Sequence, residues 1–181
     1  MTVRQVILGL GSNQDALANF RRCLDALHAR FGALLVSRVF ESEPVGMPKS
    51  QGNFHNLVVA FESDASPVEL KAWSKRQEKA QGRLPKSAGA SQHPIDIDLL
   101  TVGELCGVID DIALPRAEIT ANAFVLQPLA ELLPEQRHPA SGASYAELWQ
   151  NAQTNHAFTG QRLWPVDFSW HDEPAPHLSD D

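Results

Sequence analysis

A chain of 181 residues, 43% of them hydrophobic, is long enough for one domain with a sizeable core and has the composition of an ordinary globular protein. Its formal net charge of -7 argues against non-specific binding to nucleic acid or to an anionic membrane surface, so any phosphate must be held locally. No apolar run approaches membrane-spanning length, no secretory leader precedes Val6, and Cys23 and Cys106 form no paired motif, so a reducing cytoplasm is the expected compartment.

Val6 to Leu10 is a short apolar run that reads as a buried strand, and Gly11-Ser12-Asn13 reads as the turn that ends it. A helix should follow. Asp15 is its predicted N-cap, Leu17, Phe20, Leu24, Leu27 and Phe31 recur along one buried helical face, and Gly32 is its stop. Leu34 to Phe40 is the second predicted strand. Glu43 to Asn53, with Pro44, Gly46, Pro48 and Gly52, is a long loop of the kind that often carries function. Leu57 to Phe61, apolar on both faces, is a third strand in a covered sheet. Ser66-Pro67-Val68-Glu69 starts a helix with three agreeing signals: a Ser cap, Pro at the first helical position and Glu three residues after the cap. Leu70, Trp73, Gln77 and Ala80 give that helix its apolar stripe, and Gly82 ends it. Glu78 in its last turn opposes the helix dipole, a local conflict of the sort accepted for function.

Arg83 to Pro94 is a second long loop, and it leads into Ile95-Asp96-Ile97-Asp98-Leu99-Leu100. Side chains alternate across a strand, so Asp96 and Asp98 share one face, about 6.6 Å apart, and Ile95, Ile97 and Leu99 share the other. That separation lets both carboxylates reach one Mg²⁺ or straddle two. On spacing alone, two solvated acids on an exposed strand face would be the commoner explanation. The order of elements is then strand, helix, two strands, helix, strand: the βαββαβ arrangement of a ferredoxin-like α+β fold. Glu104 to Ile112 is a candidate edge hairpin. Ala121 to Leu133 reads as short helices interrupted by Pro128 and Pro134, and Tyr145 to Gln150 as another short helix. Residues 1–160 therefore form one predicted domain. In 161–181, Trp164, Val166, Phe168 and Trp170 alternate around Pro165 as an extended apolar edge, expected to lie across the body of the protein or against a second copy of the chain. The acidic tail from His171 is expected to be disordered.

Six marks in this order resemble the 6-hydroxymethyl-7,8-dihydropterin pyrophosphokinase family. They are Gly11-Ser12-Asn13, Pro44-Val45-Gly46, Asn53-Phe54-His55-Asn56, Glu78 through Gly82-Arg83, Asp96-Ile97-Asp98-Leu99-Leu100 and Phe124-Val125-Leu126-Gln127-Pro128-Leu129. The resemblance runs from about Val6 to Trp149. It implies a ferredoxin-like fold and a folate-pathway enzyme that moves pyrophosphate from ATP to the pterin hydroxymethyl group. Phe54 and Phe124 match the residues that sandwich the pterin ring, and Asn56 matches the amide on its polar edge. Ser42, Pro44 and Val45 complete the pterin side. Asp96 and Asp98 match the acids that hold two Mg²⁺ ions against the ATP phosphates, and with Arg83 they are the catalytic residues that the resemblance implies. This context makes the acidic pair a metal site rather than a solvated face.

The nucleotide half departs from the family pattern. His93 stands where Arg is typical, Arg116 where His is expected with Ala117 after it, Asn122 where Arg is expected, and Asp111 replaces a basic residue. The loop from Leu84 to Gln92 keeps only Lys86 of its usual basic residues, and its Trp is replaced by Ala90 or a neighbour. A charge-assisted hydrogen bond contributes about 1.5–3 kcal/mol, so three uncompensated losses would remove about 4–9 kcal/mol of nucleotide interaction. Glu78, Lys86, His93 and Arg116 are the candidate nucleotide residues that remain, and Arg83, Lys86, Arg116 and a protonated His93 could form a different phosphate cradle. Two alternatives follow from the departures. One is a Mg²⁺-dependent phosphohydrolase acting on a dihydropterin phosphate, with Glu78 or His93 activating water. The other is a non-catalytic pterin-binding relative.

Overall fold

A computed structural model describes residues 2–44, 52–85, 92–171 and 173–174. In chain order the elements are β1 (Arg4–Ser12), α1 (Ala16–Phe31), β2 (Leu35–Val36), β3 (Val39–Ser42), β4 (Phe54–Ser63), α2 (Pro67–Ala80) and β5 (Asp96–Val102). There follow β6 (Gly107–Ile109), β7 (Ile112–Leu114), α3 (Glu118–Ala121), α4 (Ala123–Leu132), α5 (Tyr145–Thr154), β8 (Leu163–Val166), β9 (Ser169–Trp170) and β10 (Glu173–Pro174). The main sheet is antiparallel with strand order β5-β1-β4-β3-β8, and β2 pairs with β4 beside β3. This is the α+β, ferredoxin-like arrangement that the order of elements predicts, extended at one edge by β8.

Strand alternation gives the sheet two apolar faces, each covered by helices. Val6, Leu8 and Leu10 of β1, with Leu57, Val59 and Phe61 of β4 and Ile97 and Leu99 of β5, pack against Phe20, Leu24 and Leu27 of α1 and Leu70 of α2. On the other face Ile7, Val58, Ala60 and Leu100 meet Ile119, Leu126, Leu129 and Tyr145 from α3, α4 and α5. Fully burying side chains of this size stabilises by about 1.5–3 kcal/mol each. The α3–α5 layer covers only part of its face. Beyond it the same strands carry glycines, an amide and acids, and there the candidate site lies.

The structure corrects several local expectations. β1 runs on through Gly11 and Ser12, so the turn begins at Asn13 rather than at Gly11. Asp15 precedes α1 in a left-handed conformation (φ 46°) without a side-chain cap; the turn is closed instead by the Ser12 hydroxyl, which donates to the Gln14 carbonyl (3.0 Å). Leu34–Phe40 is not one strand. At Ser37 the chain leaves the ladder, and the Ser37 hydroxyl accepts the Val58 N–H (2.9 Å) between β2 and β3. The capping box on α2 is present, but its buried face is Leu70, Ser74 and Glu78, with Trp73 and Gln77 half-buried and Ala80 exposed. Pro128 does not interrupt α4, because the Val125, Leu126, Leu129 and Ala130 side chains it holds in the second core outweigh one missing helical hydrogen bond. The break falls at the extended residue Asn122, between α3 and α4.

The expected edge hairpin is β6–β7, turning through Asp110 and Asp111, both with positive φ (50° and 66°). Among the described residues no helix is long and apolar enough to cross a membrane. Residues 163–170 lie against their own chain. β8 pairs with β3 and places Pro165 opposite Phe40 on the outermost strand, where its missing N–H breaks no internal ladder. The segment then crosses α1, where Phe168 meets Phe20 edge-on (6.3 Å) and the Trp170 indole N–H donates to Asp25 (2.9 Å).

Candidate active site

At the end of the sheet not covered by α3–α5, one cavity of about 420 Å³ opens. Its floor is β1. Gly9 lies between Val58 and Asp98, and Gly11 lies between Asn56 and Asp96, in the register of β4, β1 and β5. A Cβ on Gly11 would come within 2.9 Å of Asn56 Oδ1, so the glycine gives that amide its place. Ser42 and Pro44 line the cavity from the end of β3, Phe54 and Asn56 from the start of β4, and Phe124 with Asn122 from the start of α4. Two aromatic rings from different elements, an amide, and a serine hydroxyl converge here. Such a slot suits a flat heterocycle with a polar edge.

Asp96 and Asp98 close one side of this cavity, both half-buried on the face that alternation predicts. Arg83 donates to Asp96 and, from the same nitrogen, to Glu78 Oε2 (3.0 Å). Arg116 Nη2 lies 3.6 Å from Asp98, and its Nε lies 3.1 Å from Glu118. Burial and the neighbouring Asp96 charge push the Asp98 carboxyl up to about 6, against the opposing pull of Arg116. Burial works against the Arg83 charge, but its hydrogen bond to Asp96 and the surrounding carboxylates outweigh it and raise its pKa.

The donor set fits a hard cation. Four carboxylates, Glu78, Asp96, Asp98 and Glu118, surround two guanidiniums, leaving excess negative charge at the Asp96/Asp98 pair. Among the described residues no group of three or more His, Cys, Asp or Glu could hold a metal ion alone. A cation that keeps waters and takes phosphate oxygens, as Mg²⁺ does, needs only such a pair.

Glu78 is placed otherwise than as a nucleotide contact. Its side chain is 2% exposed and accepts from the Ile97 N–H (2.8 Å), Lys75 (3.2 Å) and Arg83. Burial raises its pKa, while the Ile97 N–H, Lys75 and Arg83 oppose the rise. Glu78 therefore braces the start of β5 from behind. His93 is half-buried; its ring lies 6.1 Å from that of Phe54, and its backbone N–H donates to Asn13 Oδ1 (2.6 Å). It does not line the 420 Å³ cavity. Val45 and Lys86 lie outside the described residues.

A second cavity of about 280 Å³ shares Asp98, Arg116 and Glu118 with the first. Its other walls are Lys71, Ser74 and Lys75 of α2, Leu99 of β5, and Asp111, Ile112 and Ala113 of the hairpin. Asp98 thus stands where two compartments meet, with Asp96 on the side of the first.

The model of the 7,8-dihydro-6-hydroxymethylpterin-pyrophosphokinase family matches residues 7–134, more than half of the chain. The chain belongs to this pyrophosphokinase family. Over 140 residues it is 32% identical to the 2-amino-4-hydroxy-6-hydroxymethyldihydropteridine pyrophosphokinase of Pseudomonas aeruginosa, covering 76% of this chain and 85% of that one. The enzyme of the same name from Bacillus subtilis is 27% identical over 139 residues, covering 75% and 82%. Among solved structures, the wild-type Plasmodium falciparum HPPK-DHPS chain with pteroate superposes with a TM-score of 0.66 at 11% identity. That likeness covers 91% of this chain but only 48% of the longer Plasmodium one, and it concerns the fold.

Within this pyrophosphokinase-family chain, sequence reasoning missed Gly9 and Gly11 as a floor and Lys71 and Lys75 as lining cations. Alternate glycines within an apolar run, Gly9-Leu10-Gly11, signalled the first. For the lysines the only signal was helical spacing, since residues four apart share a face, and that spacing also describes any solvated helix surface.

Proposed function

We propose that this chain transfers pyrophosphate from ATP to the hydroxymethyl group of a 6-hydroxymethyl-7,8-dihydropterin, using Mg²⁺ held by Asp96 and Asp98. The observation that carries the proposal is the position of Asp98, which lines both the aromatic slot, beside Asp96, and a second cavity with cationic lining. The pterin lies between Phe54 and Phe124, its polar edge on Asn56 with Ser42 nearby, and its hydroxymethyl group points towards the acids. The nucleotide occupies the second cavity, with Lys71, Lys75 and Arg116 around its phosphates. These cations stand in a different place from the arginines typical of the family, which are His93 and Asn122 here, and Lys75 also pairs with Glu78 (3.2 Å).

In the reaction the hydroxymethyl oxygen attacks the β-phosphorus of ATP, the bond from that phosphorus to the α-phosphate bridging oxygen breaks, and AMP leaves with the electron pair while the hydroxyl proton is released. Two Mg²⁺ ions, when bound, neutralise charge on the phosphate oxygens. The chain's own part is positioning. Arg83 holds Asp96 in place and is itself held by buried Glu78, while Arg116 lies beside Asp98 and offers positive charge to the transferring group.

The geometry does not favour the phosphohydrolase alternative. Glu78 is occupied by three donors and turned away from the cavity, and His93 is not on its wall, so neither is placed to activate water there. A non-catalytic binding protein would leave the repulsion between Asp96 and Asp98 without a use. The test is AMP formation on incubation with ATP, Mg²⁺ and 6-hydroxymethyl-7,8-dihydropterin. Production dependent on all three supports the assignment; none at saturating concentrations would overturn it.

A further inference from the structure

Behind the wall of the aromatic slot, a carboxylate joins three strands. Glu41 of β3 stands between His55 of β4 and Trp164 of β8 in the ladder, so the three side chains form one row across the sheet. The Trp164 indole N–H donates to Glu41 Oε2 (3.1 Å), the Asn53 amide donates to Oε1 (3.1 Å), and His55 Nε2 lies 3.8 Å from Oε2. This row faces away from the cavity. One residue further along β3 and one back along β4, Ser42 pairs with Phe54, and both side chains turn to the cavity side. The carboxylate thus ties together the two strand ends that carry the aromatic slot, and its partner Trp164 comes from a segment beyond the family match, which ends at residue 134.

Resting on the pterin assignment above, we infer that Glu41, tied to Asn53 and to Trp164 of the C-terminal segment, is a positioning residue that sets Phe54 for stacking on the pterin. β8 belongs to the substrate-binding apparatus through this tie. Glu41 is only 26% exposed, so its two hydrogen bonds are charge-assisted in partly dry surroundings and carry more weight than surface contacts. Releasing one frees the entry to β4, and the ring at Phe54 samples orientations that stack poorly.

The test compares the wild type with Trp164→Phe, which removes the N–H and keeps an aromatic ring, and Asn53→Ala, which severs the other arm without touching β8. Trp170→Phe is the control, because it cuts the hydrogen bond to Asp25 at the far end of the same segment. Three quantities are read: the Kd of 6-hydroxymethylpterin, the Kd of a non-hydrolysable ATP analogue measured alone, and amide hydrogen exchange at Asn53, Phe54 and His55 without ligand. Trp164→Phe and Asn53→Ala are expected to raise the pterin Kd about fivefold, leave the nucleotide Kd unchanged and speed exchange at these amides. Trp170→Phe is expected to change none of the three. Equal loss of both ligands in Trp164→Phe, or the same losses in Trp170→Phe, would make the segment a general stabiliser and overturn the inference. Unchanged exchange at 53–55 in both tie variants would also overturn it. A wild type that binds no pterin, with exchange still faster in both tie variants, would remove the pterin assignment and leave the tie between Glu41 and Phe54 standing.

Discussion

Gly11→Ala tests the site with little disturbance of the fold. Gly11 sits in the middle of the β5-β1-β4 ladder, and its added Cβ would meet Asn56 Oδ1 at 2.9 Å, where ordinary contact begins near 3.4 Å. The obstacle is the end of a flexible side chain, so the strand has no reason to move; the Asn56 amide must shift by about 0.5 Å instead. For stability the exchange is close to neutral, because alanine in a strand interior gains about 0.5–1 kcal/mol over glycine. For ligand binding it is costly. A hydrogen bond at 2.9 Å lengthened by half an ångström is effectively lost, and a polar edge left desolvated costs about 1–3 kcal/mol, which is about 5- to 150-fold in affinity. Isothermal titration with 6-hydroxymethylpterin, paired with thermal melting, separates the two. Gly9→Ala adds a methyl to the same floor, in ordinary contact with Leu100 at 3.5 Å and without displacing Asn56, so the affinity it loses measures the methyl alone and only the excess loss in Gly11→Ala belongs to the amide. Wild-type pterin affinity in Gly11→Ala at an unchanged Tm would refute the role given to the Asn56 amide.

Two further outcomes follow from the charges around the acidic pair. The folded-state pKa of Asp98, about 6, lies above its ordinary 3.8, so the metal-free native state is penalised when this group ionises; the penalty develops between pH 3.8 and 6 and is complete above 6. Asp98→Asn is therefore expected to raise the Tm at pH 8 in EDTA, to give little gain at pH 4, and to abolish AMP formation; an equal gain at both pH values would contradict the cause given for the shift. Arg83→Ala leaves Glu78, 2% exposed, with only Lys75 and the Ile97 N–H, and is expected to cost about 2–3 kcal/mol in urea unfolding. Adding Glu78→Gln should recover part of that loss, and strictly additive losses would show that the two side chains do not act together.

The core was legible wherever a local period governs packing. The alternation at Asp96 and Asp98, the stripe along α1 and the capping box of α2 are short-range patterns, and each element stands where its pattern puts it. What could not be read depended on neighbours distant in sequence. Gly11 looks like a turn residue until Asn56 and Asp96 are set on either side of it. Glu78 looks like a displaced functional acid until β5 supplies the Ile97 N–H, 19 residues away, that explains its burial. Pro128 looks like a helix breaker because the apolar cost of breaking α4 lies in a core shared with β4 and β5. Lys71 and Lys75 are ordinary surface lysines until the hairpin β6–β7 folds over to make a cavity beside them.

One sheet therefore has to serve as both hydrophobic core and reaction platform. Along β1, Ile7 lies beneath the α3–α5 layer while Gly9 and Gly11 floor the cavity; along β5, Leu100 lies in the core while Asp98 and Asp96 reach the cavity. A shift of register by one residue would send the acids into the core between the sheet and α2 and bring Ile97 into the slot. The burial that fixes the register thus also fixes the separation of the two carboxylates and their height above the glycine floor. Rigid strands hold such groups more closely than loops can. This arrangement lets the chain maintain an acidic pair that is unfavourable without a cation: the repulsion at Asp98 is opposed by the packing of Ile97, Leu99 and Leu100 into the two cores on either side of the sheet.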